Sequence, residues 1–338
     1  MAHSSGKLLD RKSIGEFVGT LVRQLKYRRE DFKVLGPSGG FTSLIDLGNI
    51  ALALNTDGVG TKVMLAAEAN KWEGIGIDCV AMNVNDTITI GAEPIAMVDY
   101  ISLNSADPLI AKDLGVGLNV GAQMANISIL GGESALVPDI VKQIDVSGTV
   151  IGIVQKSQIT TGERIKEGDL IYSLQSSGIH SNGFTTVRKI MENNELKLDD
   201  KFPGYNKRVM DVLLEPTRIY VREILDILNI VEINGMANIT GGGFKNMVRM
   251  KDMKYVISDP VDPQPVFKKL MEMGNLSYEQ MYETFNMGTG YVVVVDANSK
   301  HDFVSTLRNR LSIKEIGHVE NGTGIEIPSA GVTLSNYY

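Results

Sequence analysis

The stretch Asn55-Thr56-Asp57-Gly58-Val59-Gly60-Thr61-Lys62 constrains the chain more than any other. Residues 50–54 lead into it as an apolar, strand-like run, and residues 63–69 lead out as a helix-like one. A carboxylate, glycines, a hydroxyl and a lysine are therefore presented on a turn at a strand end. Glycines there let backbone N–H groups approach an anion; the lysine is a point charge for phosphate and the aspartate a hard ligand for Mg²⁺. A P-loop is excluded, because Gly-Thr-Lys is not Gly-Lys-Thr and the leading glycine spacing is absent. Such a turn alone has a structural reading as well as a phosphate-binding one.

At 338 residues the chain exceeds one ordinary core, so two domains are expected. We place them at residues 10–157 and at residues 165–330. The polar stretch 157–168 lies between them. A net charge of −7 and no basic run beyond Lys26-Tyr27-Arg28-Arg29 argue against nucleic acid as a partner. No apolar stretch approaches a membrane span. The single cysteine, Cys79, cannot form an internal disulfide and sits in an apolar helical stretch, so we expect a buried, inert thiol and a cytoplasmic setting.

Apolar spacing predicts a helix over 13–26 with Ser13 as N-cap. A glycine-rich loop follows over 35–40, read either as a connector or as a lid over phosphates. Then come a buried helix over 74–91, a strand over 95–103 and a helix from Asp107-Pro108 to about Asn126. Gly115, Gly117 and Gly121 lie within that last helix and read as close packing rather than a dinucleotide loop. Short and long strands follow over 127–130 and 145–155. In the second half, a strand over 169–174 leads into Ser176-Ser177-Gly178-Ile179-His180-Ser181-Asn182-Gly183 and a helix. Pro216 is expected to open a further helix to about Ile230. Gly241-Gly242-Gly243 and Asn286-Met287-Gly288 mark later loops, with a strand over 291–295, a helix over 299–311 and a strand over 313–319. Strands and helices mix without strict alternation, which favours α+β.

Asp57, Asp86 and Glu133 stand beside glycines or at element ends, as carboxylates that hold Mg²⁺ against nucleotide phosphates would. Asp86 has apolar flanks, and an unpaired buried carboxylate requires a cation or donors. His180, in a polar loop between glycines, has a substrate-contacting reading beside a structural one.

Asn55 to Lys62, Ile75-Gly76-Ile77-Asp78-Cys79-Val80-Ala81-Met82-Asn83-Val84-Asn85-Asp86, Gly91-Ala92-Glu93-Pro94, Gly131-Gly132-Glu133, His180-Ser181-Asn182-Gly183, Pro216-Thr217-Arg218-Ile219-Tyr220, Thr240-Gly241-Gly242-Gly243-Phe244 and Phe285-Asn286-Met287-Gly288 occur in this order. Together they resemble the aminoimidazole ribonucleotide synthetase (phosphoribosylformylglycinamidine cyclo-ligase) family from about residue 26 to 319.

The resemblance implies an α+β fold of two domains. The N-terminal mixed sheets of two subunits would join in an intersubunit β-barrel, and the C-terminal domain would be an α/β sandwich. It also implies a homodimeric ligase of purine biosynthesis, with ATP, Mg²⁺ and formylglycinamidine ribonucleotide as its cofactors and partners. Asp57, Asp86 and Glu133 would form the metal and phosphate group, and Gly39, Gly40, Gly58, Gly60, Thr61 and Lys62 would join them around the nucleotide. His180, Ser181 and Asn182 would face the substrate, with His180, Asp57 and Asp86 as catalytic groups. Bacterial relatives carry an ATP-linked lysine where Val22 stands here; Arg23, Lys26 and Lys33 are the candidates to replace it. A formylglycinamidine ribonucleotide synthetase, or another ATP-dependent amide- or phosphate-activating enzyme of the superfamily, is the alternative. Its selenium- and hydrogenase-linked members would require a terminal reactive cysteine.

Overall fold

The computed structural model describes residues 11–35, 40–307 and 313–335. Its first half runs α1 (Arg11–Gln24), β1 (Val34–Leu35), β2 (Ser43–Asp46), β3 (Ile50–Gly58), α2 (Lys62–Ala69), α3 (Glu73–Thr87), β4 (Glu93–Leu103), α4 (Pro108–Ala125), β5 (Ser128–Leu136) and β6 (Ile144–Gln155). Ser13 falls within α1 and does not cap it. The strands form one mixed sheet in the order β1-β2-β3-β6-β4-β5, antiparallel except where β5 runs parallel to β4. β5 continues through Gly131 and Gly132 by way of a bulge against β4, where the sequence suggested a strand end.

α3 is apolar nearly all round, the pattern of a helix buried on every side. It packs under the sheet against β3 and β6, sharing one apolar cluster with the inward residues Val146 and Val150. α4 lies on its other flank, and the helical glycines make that crossing possible. A Cβ at Gly117 would overlap the Glu73 carbonyl, and one at Gly121 would press on Val80. Asp107 caps α4 by accepting from the Leu109 N–H at 2.8 Å, and Asn126 ends it in the left-handed conformation.

The second half comprises β7 (Leu170–Gln175), α5 (Phe184–Asn193), α6 (Val209–Leu213), α7 (Val221–Leu228), β8 (Gly235–Asn238), β9 (Lys254–Val256), α8 (Pro265–Gly274), α9 (Tyr278–Thr284), β10 (Thr289–Val295), α10 (Lys300–Leu307), β11 (Ile313–Glu320), β12 (Gly324–Ile327) and β13 (Val332–Leu334). They build a second mixed sheet, β13-β12-β9-β11-β7-β10-β8. β10 lies between β7 and β8 and is buried along its whole length.

The helix expected from Pro216 starts only at Val221. Side chains of α3 intervene, because they hold the backbone ahead of it in an irregular path. Asp78 Oδ1 accepts from the Thr217 N–H at 2.7 Å, and Asn85 both accepts from the Tyr220 N–H at 3.0 Å and donates to the Arg218 carbonyl at 2.8 Å. The two Asn85 bonds take an N–H and a carbonyl that a helix begun at Pro216 would pair within itself. They also weld the halves together, and one apolar core runs from Val59 and Val80 into Ile219, Tyr220 and Tyr291. Among the described residues no helix is long and apolar enough to cross a membrane.

Candidate active site

Asp57 sits near the end of β3, and its backbone is clasped by a single side chain. Asn83 of α3 accepts from the Asp57 N–H at 3.0 Å and donates to its carbonyl at 3.2 Å. The Gly58 N–H bonds back to Asp57 Oδ1 at 2.7 Å. Three residues on, Gly60 takes φ +71°, a backbone conformation that side-chain-bearing residues rarely adopt. Thr61 is exposed beyond it, within 3.3 Å of the Thr185 hydroxyl.

Asp86, at the C-terminal end of α3, lies close enough to Asp57 for the two charges to repel. Burial, and then Asp57, push its carboxyl up to about 7, and burial also raises Asp57. Asn238 of β8 donates to Asp86 Oδ1 at 2.8 Å, while Thr42 and Thr89 both donate to the Asp86 carbonyl. Two carboxylates and little compensating charge favour a hard, oxygen-seeking cation. Mg²⁺ is commonly held by one or two carboxylates with phosphate oxygens completing its shell, so the donor set fits it.

Glu133 does not join them within one chain. β6 and β4 lie between its strand and that of Asp57. Register places Asp57, Gly148, Asp99 and Gly132 in one row and Gly58, Ser147, Tyr100 and Glu133 in the next, on the opposite face. Among the described residues no trio of acidic, histidine or cysteine side chains converges on a metal position.

Lys62 opens α2 with its ammonium turned inward and fully buried. It lies 2.7 Å from Asp78, donates to the Glu215 carbonyl at 2.8 Å and stands over the Phe184 ring. Its charge is committed to the junction between the halves. Gly40 is half-buried beside Phe41, whereas Gly39 lies outside the described residues. Cys79 is fully buried, and burial pushes its thiol far up, which leaves it inert.

The loop after β7 meets the irregular 216–220 segment. The Ser181 and Thr217 hydroxyls lie 3.0 Å apart, Ser177 donates to the Pro216 carbonyl at 2.6 Å, and Asn286 holds the Gly178 carbonyl at 2.9 Å. The Asn182 amide nitrogen has no hydrogen-bond partner among the described residues, which leaves a donor in reserve. His180 has φ +65° and is buried, and its Nε2 accepts from the Ser177 N–H at 3.2 Å. The neutral ring thus carries its proton on Nδ1. Burial, with Lys62 and Arg218 nearby, pulls its pKa down to about 3. At neutral pH the ring organises the loop; a proton-carrying role requires ligand to change these surroundings.

The sign of the resulting pH effect is fixed. The unfolded chain binds a proton near the ordinary value of 6.5, which the folded ring refuses until about 3. The contribution of His180 to stability is therefore complete above about 6.5 and is lost progressively as pH falls toward 3. His180→Asn, whose new residue tolerates the left-handed backbone, is expected to flatten the fall in urea midpoint between pH 6.5 and 4. An unchanged slope would show that other groups carry the acid sensitivity.

Sequence reasoning missed Asp78, Asn83, Asn85, Asn238 and Arg249. The first three were detectable as polar residues embedded in an otherwise apolar helix.

The two mixed sheets and their helices define a class of two-domain α+β proteins. The structure superposes on AaThiL complexed with AMPPCP and TMP with a TM-score of 0.66 at 17% identity, covering 99% of this chain and 100% of that one. Residues 40–154 match the N-terminal domain of the AIR synthase related proteins, and residues 166–328 their C-terminal domain. The phosphoribosylformylglycinamidine cyclo-ligase of Thermoplasma volcanium is 66% identical over 331 residues, covering 98% of both chains. That of Thermoplasma acidophilum is 63% identical over 338 residues, covering 100% of both. The chain belongs to the phosphoribosylformylglycinamidine cyclo-ligase family.

Proposed function

We propose that this chain closes the imidazole ring of aminoimidazole ribonucleotide, converting formylglycinamidine ribonucleotide and ATP into the product, ADP and phosphate. The observation that carries this reading is the buried Asp57–Asp86 pair beside the Gly60 turn, within a chain that matches a cyclo-ligase over 98% of that relative's length. The substrate's formyl amide oxygen takes the γ-phosphoryl group, which turns a poor leaving group into a good one. The amidine-side nitrogen then attacks that carbon, phosphate departs and a proton is lost to solvent.

Asp57 and Asp86 would hold Mg²⁺, which when bound neutralises phosphate charge. Ser181 and Asn182 would orient the substrate, aided by the loop that His180 organises, so that its two ends meet. A coupled ADP-release assay tests the reading. ADP should appear with formylglycinamidine ribonucleotide and Mg²⁺ and disappear on chelation. Release with thiamine monophosphate instead would overturn the substrate assignment. A cytoplasmic setting suits phosphorylated substrates and a lone buried thiol.

The active form, on this proposal, is a homodimer. β6 buries Val146, Val150 and Val154 against the helix layer, and the opposite face leaves Thr149, Ile151 and Ile153 half-covered. Val98 and Tyr100 of β4, on that same open face, are 42% and 48% exposed. Pairing this face with a second copy buries it, as soluble sheets require. Glu133 points to that side, so its part in phosphate binding belongs to the dimer. Sedimentation should show a dimer that Val98→Asp dissociates into inactive chains. A stable, active monomer at low concentration would count against the assembly.

A further inference from the structure

We infer that Asn238 and Arg249, both from the C-terminal half, are positioning residues that hold the Asp57–Asp86 pair in place for the nucleotide phosphates. This rests on the role proposed above for the two aspartates.

Asn238 ends β8 and is 1% exposed. Its amide nitrogen donates to Asp86 Oδ1 at 2.8 Å, yet its oxygen is buried with no hydrogen-bond partner among the described residues. Buried polar atoms are almost always paired. Asn238 thus leaves its own oxygen unpaired while presenting its donor to Asp86, the arrangement of a side chain placed to orient that carboxylate.

Arg249 ends the turn Gly243–Arg249 that follows the triple glycine. Its guanidinium carbon lies 3.9 Å from the Phe41 ring centroid, and Nη2 donates to the Gly40 carbonyl at 2.9 Å. Nη1 reaches Asn246 Oδ1 at 3.4 Å. Its charge acts on both Asp57 and Asp86. Thr42, next along the segment that Arg249 grips, donates to the Asp86 carbonyl at 3.0 Å. The cation therefore fixes the backbone that fixes Asp86, and opposes the repulsion between the two carboxylates.

A mere staple between the halves would affect stability; a positioning pair affects use of the nucleotide. Asn238→Asp keeps the shape and the oxygen but replaces the donor with a charge that repels Asp86. Arg249→Met removes charge and fork, and Arg249→Lys returns the charge alone. Asn238→Asp and Arg249→Met are expected to raise KM for Mg·ATP about 10- to 100-fold, the usual effect of losing an outer-shell partner. kcat should fall less, and Arg249→Lys should recover part of the loss. Hydrogen exchange of residues 40–46 without ligand should quicken in Arg249→Met at an unchanged thermal midpoint.

Wild-type KM in Asn238→Asp and Arg249→Met overturns the inference. So does a loss that tracks the thermal midpoint and is as large in Arg249→Lys. Asp86→Asn run alongside separates the two levels. If it is impaired while the others are not, only this inference falls; if it is fully active, the aspartate assignment falls and takes this inference with it.

Discussion

Asp86→Asn is expected to fold as well as the parent chain and to lose Mg·ATP-dependent turnover by on the order of 100-fold, the scale seen when one group stabilising reaction charge is removed. The two effects separate because the position is expensive when ionised. Burial and the neighbouring Asp57 already push its proton affinity up to about 7. A neutral amide of the same shape relieves that burden, and Asn238 at 2.8 Å reorients its own amide to meet either end of the new side chain. Thermal stability at pH 8 should therefore hold or rise while activity collapses. A Mg²⁺ titration is the decisive measurement. Unchanged turnover across the titration would remove Asp86 from the site, and a parallel loss of folding would make it structural.

Much of this architecture was legible in the chain. The apolar helix over 74–91, the close packing at Gly117 and Gly121 of α4 and the strand ahead of the Asp57 turn all follow from periodicity and local sterics, whereas Gly115, read in the same way, faces open space. Misreadings fell where tertiary partners overrule local preference. Pro216 looks like a helix start, but Asn85 takes the Tyr220 N–H and the Arg218 carbonyl that a helix begun there would pair. Gly131 and Gly132 look like a strand end, yet parallel pairing with β4 carries β5 through them to Leu136. The site shows the same limit. Asp57 and Asp86 are marked by the residues around them, whereas Asn238 and Arg249 reach them only through the packing of one half on the other. Glu133 is marked as clearly as the other two acids, but sheet register, invisible in a linear pattern, places it on the opposite face.

Lys62 carries the largest expected effect on stability. Read from its neighbours it is a phosphate lysine; in the fold it is wholly buried and paired with Asp78 at 2.7 Å, with the Glu215 carbonyl as its second partner. Truncating one member of a buried pair strands the other charge, at a cost of about 3–5 kcal/mol. Lys62→Met and Asp78→Asn are each expected to destabilise by that amount, with Asp78→Asn keeping its acceptor for the Thr217 N–H. Replacing a whole buried pair by apolar groups is often nearly neutral, but here the Asp78 carboxylate also serves that N–H. The double variant Lys62→Met/Asp78→Leu should therefore regain only part of the loss, because the Thr217 donor and the Glu215 carbonyl stay unmet. Equilibrium urea unfolding of the parent chain, Lys62→Met, Asp78→Leu and their double variant closes a double-mutant cycle that measures the coupling directly. Additive single effects would show that the two charges do not act as a pair. If Lys62→Met kept full stability while KM for ATP rose, the lysine would return to the phosphate role that its place in the turn first indicated.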